Sequence, residues 1–164
     1  MDTDYFLETM RLYRHQLMNE LQVIHGFQTM GMKDESLKKM NRFIDQLSSE
    51  RTLQSIDANQ YVSWLLAWKI RHPEVLFSYQ TKGEHRSLKK FDDALLNDVK
   101  SVIDQFNRLD GNLYLSVELS YGSAIELKYS LVNFGKNETL NASDMRESEM
   151  ENKDERLVFQ FRYE

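Results

Sequence analysis

Residues 11–26 read RLYRHQLMNELQVIHG, and the first third of the chain takes its organisation from them. Counting from the residue just before, Met10, Tyr13, Leu17, Leu21 and Ile24 recur at spacings of three or four, the pattern of an amphipathic helix with one apolar stripe. At about 100° per residue, His15 lies roughly 120–200° from every one of them. A histidine on that side of a helix faces water, where a partner protein can reach it.

The pattern extends in both directions. A first helix is predicted from about Asp4 to Met30, with Asp2, Thr3 and Asp4 supplying capping oxygens and acidic charge at its start and Gly31 stopping it. After the short loop Gly31-Met32-Lys33, Asp34 is read as the cap of a second helix. Leu37, Met40, Ile44 and Leu47 stripe that helix, and it fades near Ser55. So short a connection between two long helices implies an antiparallel hairpin. Phe6, Leu7, Leu12, Met18, Val23 and Phe27 widen the apolar surface of the first helix beyond what one neighbour covers. Two hairpins paired about a two-fold axis form a four-helix bundle that covers it, so residues 1–56 are expected to dimerise and the protein to be a homodimer.

From residue 57 to 164 the character changes to α+β. Asn59 to about Arg71 is apolar nearly all round and reads as a buried helix ended by Pro73. Val75 to Tyr79 alternates as a strand. A fourth helix is predicted over about Leu88 to Leu109, with Phe91, Leu95, Val99, Val102, Ile103 and Phe106 on one face. Gly111-Asn112 is a turn. Leu113–Leu119 and Ala124–Phe134 form a hairpin around Tyr121-Gly122-Ser123, and Arg156–Tyr163 is a closing strand. Gly135 to Asp154 is polar and acidic, with a short helix predicted near Ala142–Met150. The expectation is helices packed on one face of a small, mostly antiparallel sheet.

Composition excludes several function classes. The 164 residues are 41% hydrophobic and 29% charged, with a net charge of −5, which opposes a general nucleic-acid footprint. There is no cysteine, so neither disulfides nor thiolate metal sites arise. The N-terminus lacks the basic-then-apolar order of a secretion signal, and no apolar run approaches the roughly 20 residues that span a bilayer. A cytoplasmic protein with no membrane association is expected.

His15 is the residue with chemistry to offer. Neutral imidazole is a good nucleophile toward phosphorus, and its ordinary pKa of about 6.5 leaves it largely unprotonated at neutral pH. Phosphoryl transfer asks the protein mainly to hold the nucleophile in line, which a rigid exposed helix can do. His25 is read as packed or hydrogen-bonded on the core side, His72 ends a helix beside Pro73, and His85 lies in a polar loop. No ligand spacing links them, so no metal is expected. No two of the six glycines are separated by a single residue, so there is no GxGxxG; there is no GxxxxGK[ST] P-loop either, and no ATP binding is expected.

His15, Asn19, Leu21, Gln22, Ile24 and Gly26 form H-x-x-x-N-x-L-Q-x-I-x-G. This resembles the phosphorylation box of the sporulation initiation phosphotransferase B family and of the citrate-type sensor kinases related to it. The resemblance implies a phosphorelay histidine phosphotransferase. His15 would accept a phosphoryl group from the aspartate of one response regulator and pass it to a second regulator controlling sporulation. It implies Arg11, Arg14, Gln16, Met18, Asn19 and Gln22 as the footprint of the receiver domains, donor and acceptor. Mg2+ would arrive in the regulator's acidic pocket, with no cofactor held by this chain. The second half would be a degenerate histidine-kinase ATP domain, with Gln105 where kinases carry a magnesium-binding asparagine. Many relatives have an acidic residue after the histidine; here it is Gln16. The alternative from another class is a non-catalytic dimeric docking module for receiver domains.

Overall fold

The computed structural model describes residues 3–106, 113–133 and 156–164. The chain divides into two compact units, Met1–Ser48 and Ser49–Glu164, with the division falling inside the second helix. The predicted Gly111-Asn112 turn, the acidic 135–154 stretch and its short helix lie outside the described residues. Among the described residues no helix is long and apolar enough to cross a membrane.

The first unit is a helical hairpin of α1 (Thr3–Thr29) and the larger part of α2 (Lys33–Gln54). Gly31 reverses the chain at a φ of 76°, a left-handed conformation that costs glycine little. Around it the amide of Met32 bonds to the carbonyl of Phe27 at 2.9 Å and that of Gly31 to Gln28 at 3.2 Å. This double closure satisfies carbonyls that the end of α1 would leave open. The first bond of α2 runs from Ser36 to the carbonyl of Met32, so Asp34 sits inside the first turn and adds acidic charge there with Glu35, where the sequence had it as the cap. The hairpin is clasped by the buried Ser36 hydroxyl, which donates to the carbonyl of Ile24 at 3.2 Å, and by a Lys39–Glu20 ion pair at 2.8 Å. The pairings 24 with 36 and 20 with 39 make the helices antiparallel.

This hairpin buries little by itself. Of α1 only Thr9 and Ile24 are buried, while Leu7, Met10, Leu12, Met18, Leu21 and Val23 stay exposed. His25 is exposed, contrary to the core-side placement read from the stripe. The more buried line of α1 runs through Tyr13, Glu20 and Ile24, about 40° round from the centre of the apolar stripe, and turns His25 outward.

The second unit has a full core. Its sheet is ordered β1 (Leu76–Lys82), β2 (Leu113–Tyr121), β3 (Ile125–Asn133), β4 (Arg156–Tyr163). β1 and β2 are parallel and the other pairs antiparallel. A parallel neighbour demands a crossover, and α4 (Asp92–Phe106) lies in it. β2 alternates strictly, with Leu113, Leu115, Val117, Leu119 and Tyr121 buried. These join Ile125, Leu127, Tyr129 and Leu131 of β3, Leu95, Val99, Val102, Ile103 and Phe106 of α4, and Tyr61, Val62, Leu65 and Trp68 of α3 (Asn59–Arg71) in one cluster. The last turn of α2 belongs here too. Leu53 is fully buried, buried Glu50 pairs with Lys69, and Ser49 covers the outer edge of β1 by accepting from the amide of Tyr79 at 2.8 Å.

Two aspartates cap each other's helices. α3 has no side-chain cap of its own; instead Asp92 accepts from the amides of Gln60 and Tyr61 at 3.0 and 2.9 Å. In return Asp57, just before α3, accepts from the amide of Leu88 at 2.7 Å and from the Ser87 hydroxyl. The Ser87 and Leu88 hydrogen bonds hold the Asp57 carboxyl below its usual range. This exchange also corrects the predicted start of the fourth helix. The chain is pinned at Leu88 and makes a short 3-10 turn, Lys89–Phe91, before α4 begins at Asp92.

Candidate functional site

His15 is exposed on α1, in a stretch of unbroken helix. Its Nδ1 lies 3.2 Å from the Asn19 amide nitrogen, one turn further along. The four-residue spacing puts the two side chains on one face, so helix geometry alone brings them within reach. The amide nitrogen is a donor, so the contact uses Nδ1 as its acceptor and leaves Nε2 facing solvent.

The other named positions can be placed by helix angle. Arg11, Met18 and Gln22 lie within about 60° of His15 around the axis, and Arg14 and Gln16 about 100° away on opposite sides. Arg11, Arg14, Met18, Asn19 and Gln22 are exposed, and Gln16 is half-buried. Among the described residues neither Arg11 nor Arg14 has an ion-pair or hydrogen-bond partner. Residues 11–19 contain no carboxylate, and Glu20 is drawn off to Lys39 on α2. His15 therefore presents an imidazole framed by an amide, a thioether and two free cations.

The remaining histidines have other surroundings. His72 contacts Glu74 at 3.1 Å and stacks near the Trp68 ring, and His85 lies against the Tyr121 ring. Among the described residues no three His, Cys, Asp or Glu side chains group closely enough to hold a metal ion. Gln105 is half-buried on α4. Sequence reasoning named Asn19 only through the resemblance. The i, i+4 spacing to His15 was the available signal for its contact with the ring.

Comparison with protein families returns a match to the N-terminal hairpin alone, and it suggests a relation to two-component signalling. The matching family model is that of the sensor kinase SpoOB-type, alpha-helical domain, and it covers residues 1–56, which are thus a SpoOB-type helical domain. No curated protein matches the chain.

Proposed function

We propose that the chain is a phosphorelay histidine phosphotransferase acting through His15. The observation that carries the reading is an exposed histidine on the outer face of a SpoOB-type hairpin, with its ring held by a neighbour one turn away. In the forward step an imidazole nitrogen lone pair forms a bond to phosphorus. The bond from phosphorus to the aspartyl carboxylate oxygen breaks, and its electron pair leaves with the carboxylate. The second step reverses this onto the aspartate of another regulator, in a relay that controls sporulation. The regulator brings Mg2+ and most of the charge stabilisation. This chain supplies a positioned nucleophile, and Arg11 and Arg14 offer unpaired cations to the incoming phosphoryl oxygens.

The protein acts as a cytoplasmic homodimer. The exposed line Leu37, Met40 and Ile44 on α2 follows the i, i+3, i+7 spacing of a helix-packing stripe, and a second hairpin is its natural cover. The second unit serves as a platform that takes no nucleotide, having no glycine-rich loop to cradle phosphates.

The test is transfer from a labelled, aspartyl-phosphorylated receiver domain, with no ATP present, to wild type and to His15→Gln. Acid-labile, base-stable label on the wild type and none on the variant is expected. Receivers that bind both proteins equally and transfer to neither would replace this reading with that of a docking module.

A further inference from the structure

The core of the second unit encloses more phenol hydroxyls than it has partners for. We infer that Tyr79 Oη, on β1, holds an internal water molecule that links it to the hydroxyl pair of Tyr61 on α3 and Tyr129 on β3. The inference is independent of the role proposed for His15.

Tyr61, Tyr79 and Tyr129 belong to one buried cluster and are 1%, 4% and 0% exposed. The Tyr129 hydroxyl donates to that of Tyr61 at 3.2 Å. The pair thereby uses one of its two hydrogens, and the hydrogen of the accepting phenol is left over. Tyr79 Oη is buried and has no hydrogen-bond partner among the described residues. Tyr79 cannot back out to find one. Its amide donates to the Ser49 hydroxyl at 2.8 Å, that hydroxyl donates to its carbonyl at 3.3 Å, and its strand is paired to β2 at Val117. The phenols share one neighbourhood. Burial first, and then the Tyr61 and Tyr121 phenols, push the Tyr79 phenol above its ordinary value, and Tyr79 in turn acts on Tyr129. A buried hydroxyl left unpaired lowers a folding constant about fivefold or more. A water molecule removes that cost, because it accepts two hydrogens and donates two. Between these groups it accepts from Tyr79 and takes the spare hydrogen of the Tyr61–Tyr129 pair. Tyr121 Oη, also buried without a partner, is on the same face of the sheet and offers a lone pair to one of the water's own hydrogens. Internal waters ordinarily rest on about three such otherwise unsatisfied groups. The phenols become one network, which fixes α3 on the sheet by polar geometry as well as by packing.

The test counts long-lived internal waters in the full chain by 17O magnetic relaxation dispersion, and measures folding constants in urea, for wild type, Tyr79→Phe and Tyr163→Phe. Tyr79→Phe is expected to lose one long-lived water and about fivefold in the folding constant, the worth of one net hydrogen bond. Tyr163→Phe, which removes a hydrogen bond to Asp98 at 2.5 Å, should lose stability and keep the water. A high-resolution crystal structure of the wild type should show the water within about 3 Å of Tyr79 Oη. Equal counts of water in wild type and Tyr79→Phe would overturn the proposal. So would a Tyr79→Phe variant as stable as wild type or more so, the result an orphaned hydroxyl requires. Well-ordered density around Tyr79 with no water in it would overturn it without any variant.

Discussion

Truncating the exposed stripe of α2 should weaken the proposed dimer, and Ile44→Ala is the cleanest single perturbation. Ile44 is 51% exposed within one protomer, so about half of its side chain remains to be covered. Complete burial of such a side chain is worth about 2 kcal/mol, so the uncovered half accounts for about 1 kcal/mol. In a two-fold dimer the loss counts twice, giving about 2 kcal/mol and a rise of about 30-fold in the dimer dissociation constant. Sedimentation equilibrium across a dilution series measures it. Val158→Ala is the control: Val158 is 48% exposed but belongs to β4, outside the hairpin, and its truncation should leave the constant unchanged. A wild type that stays monomeric at the concentrations used for transfer would refute the reasoning, and so would equal effects of the two substitutions.

Asp92→Ala removes the acceptor for two amides at the start of α3 and should cost about 1–2 kcal/mol, seen as a lower midpoint in urea with an unchanged slope. Leu115→Ala opens the fully buried centre of β2 and should cost about 2–5 kcal/mol by the same assay. Burial lifts the phenols of Tyr61, Tyr79 and Tyr129 above their ordinary value near 10. The unfolded chain therefore loses these protons first. Their contribution to stability is intact below a pH of about 10 and drains away as the pH climbs toward the folded values, which an alkaline series of denaturation midpoints should follow. Asp57 runs the opposite way. Its folded value is depressed, so its contribution holds above the ordinary 3.8 and is lost as the pH falls through the folded value, and Asp57→Asn should flatten that acid limb.

Periodicity identified the elements wherever one face is buried and the pattern is local. α3 spans Asn59–Arg71, as its dense apolar run and Pro73 indicate, and β2 keeps its alternation for its whole length. β1 was read short because Gln80, Thr81 and Lys82 are exposed and carry no apolar signal; backbone pairing to Glu118, Leu119 and Ser120 holds them in the sheet. The start of α4 was read early because Asp57 and Leu88 are 31 residues apart, and no window along the chain reveals a carboxylate meeting an amide at that separation. His25 was misplaced for a related reason. The stripe through Met10 and Leu21 marks where apolar side chains lie, whereas the buried line follows what α1 packs against, so the two can differ by tens of degrees. At His15 the signal was local. A histidine opposite the stripe faces water, as read, while its contact with the asparagine four residues on, which that spacing allows, was not read from the sequence.

For the phosphotransfer proposed above, the surroundings of His15 suit transfer in both directions better than capture alone. An incoming aspartyl phosphate is anionic, and at 4 Å a like charge costs about 4 kcal/mol in the effective dielectric near a protein surface, before salt screening. From Arg11 to Asn19 the helix offers no such charge: the residues there are two arginines, amides, a tyrosine and apolar side chains. The nearest acid along the chain, Glu20, is committed to Lys39 at 2.8 Å. A carboxylate against Nδ1 would tighten the ring's hold on its proton and strengthen the nucleophile, but it would also add negative charge beside the phosphoryl group. The neutral Asn19 amide supplies orientation with little added charge. Strong activation matters less when the donor is itself a reactive acyl phosphate, because the imidazole then has to be aligned more than energised. An amide-held histidine beside two cations would suit the proposed relay, in which the same nitrogen must accept a phosphoryl group and afterwards give it up.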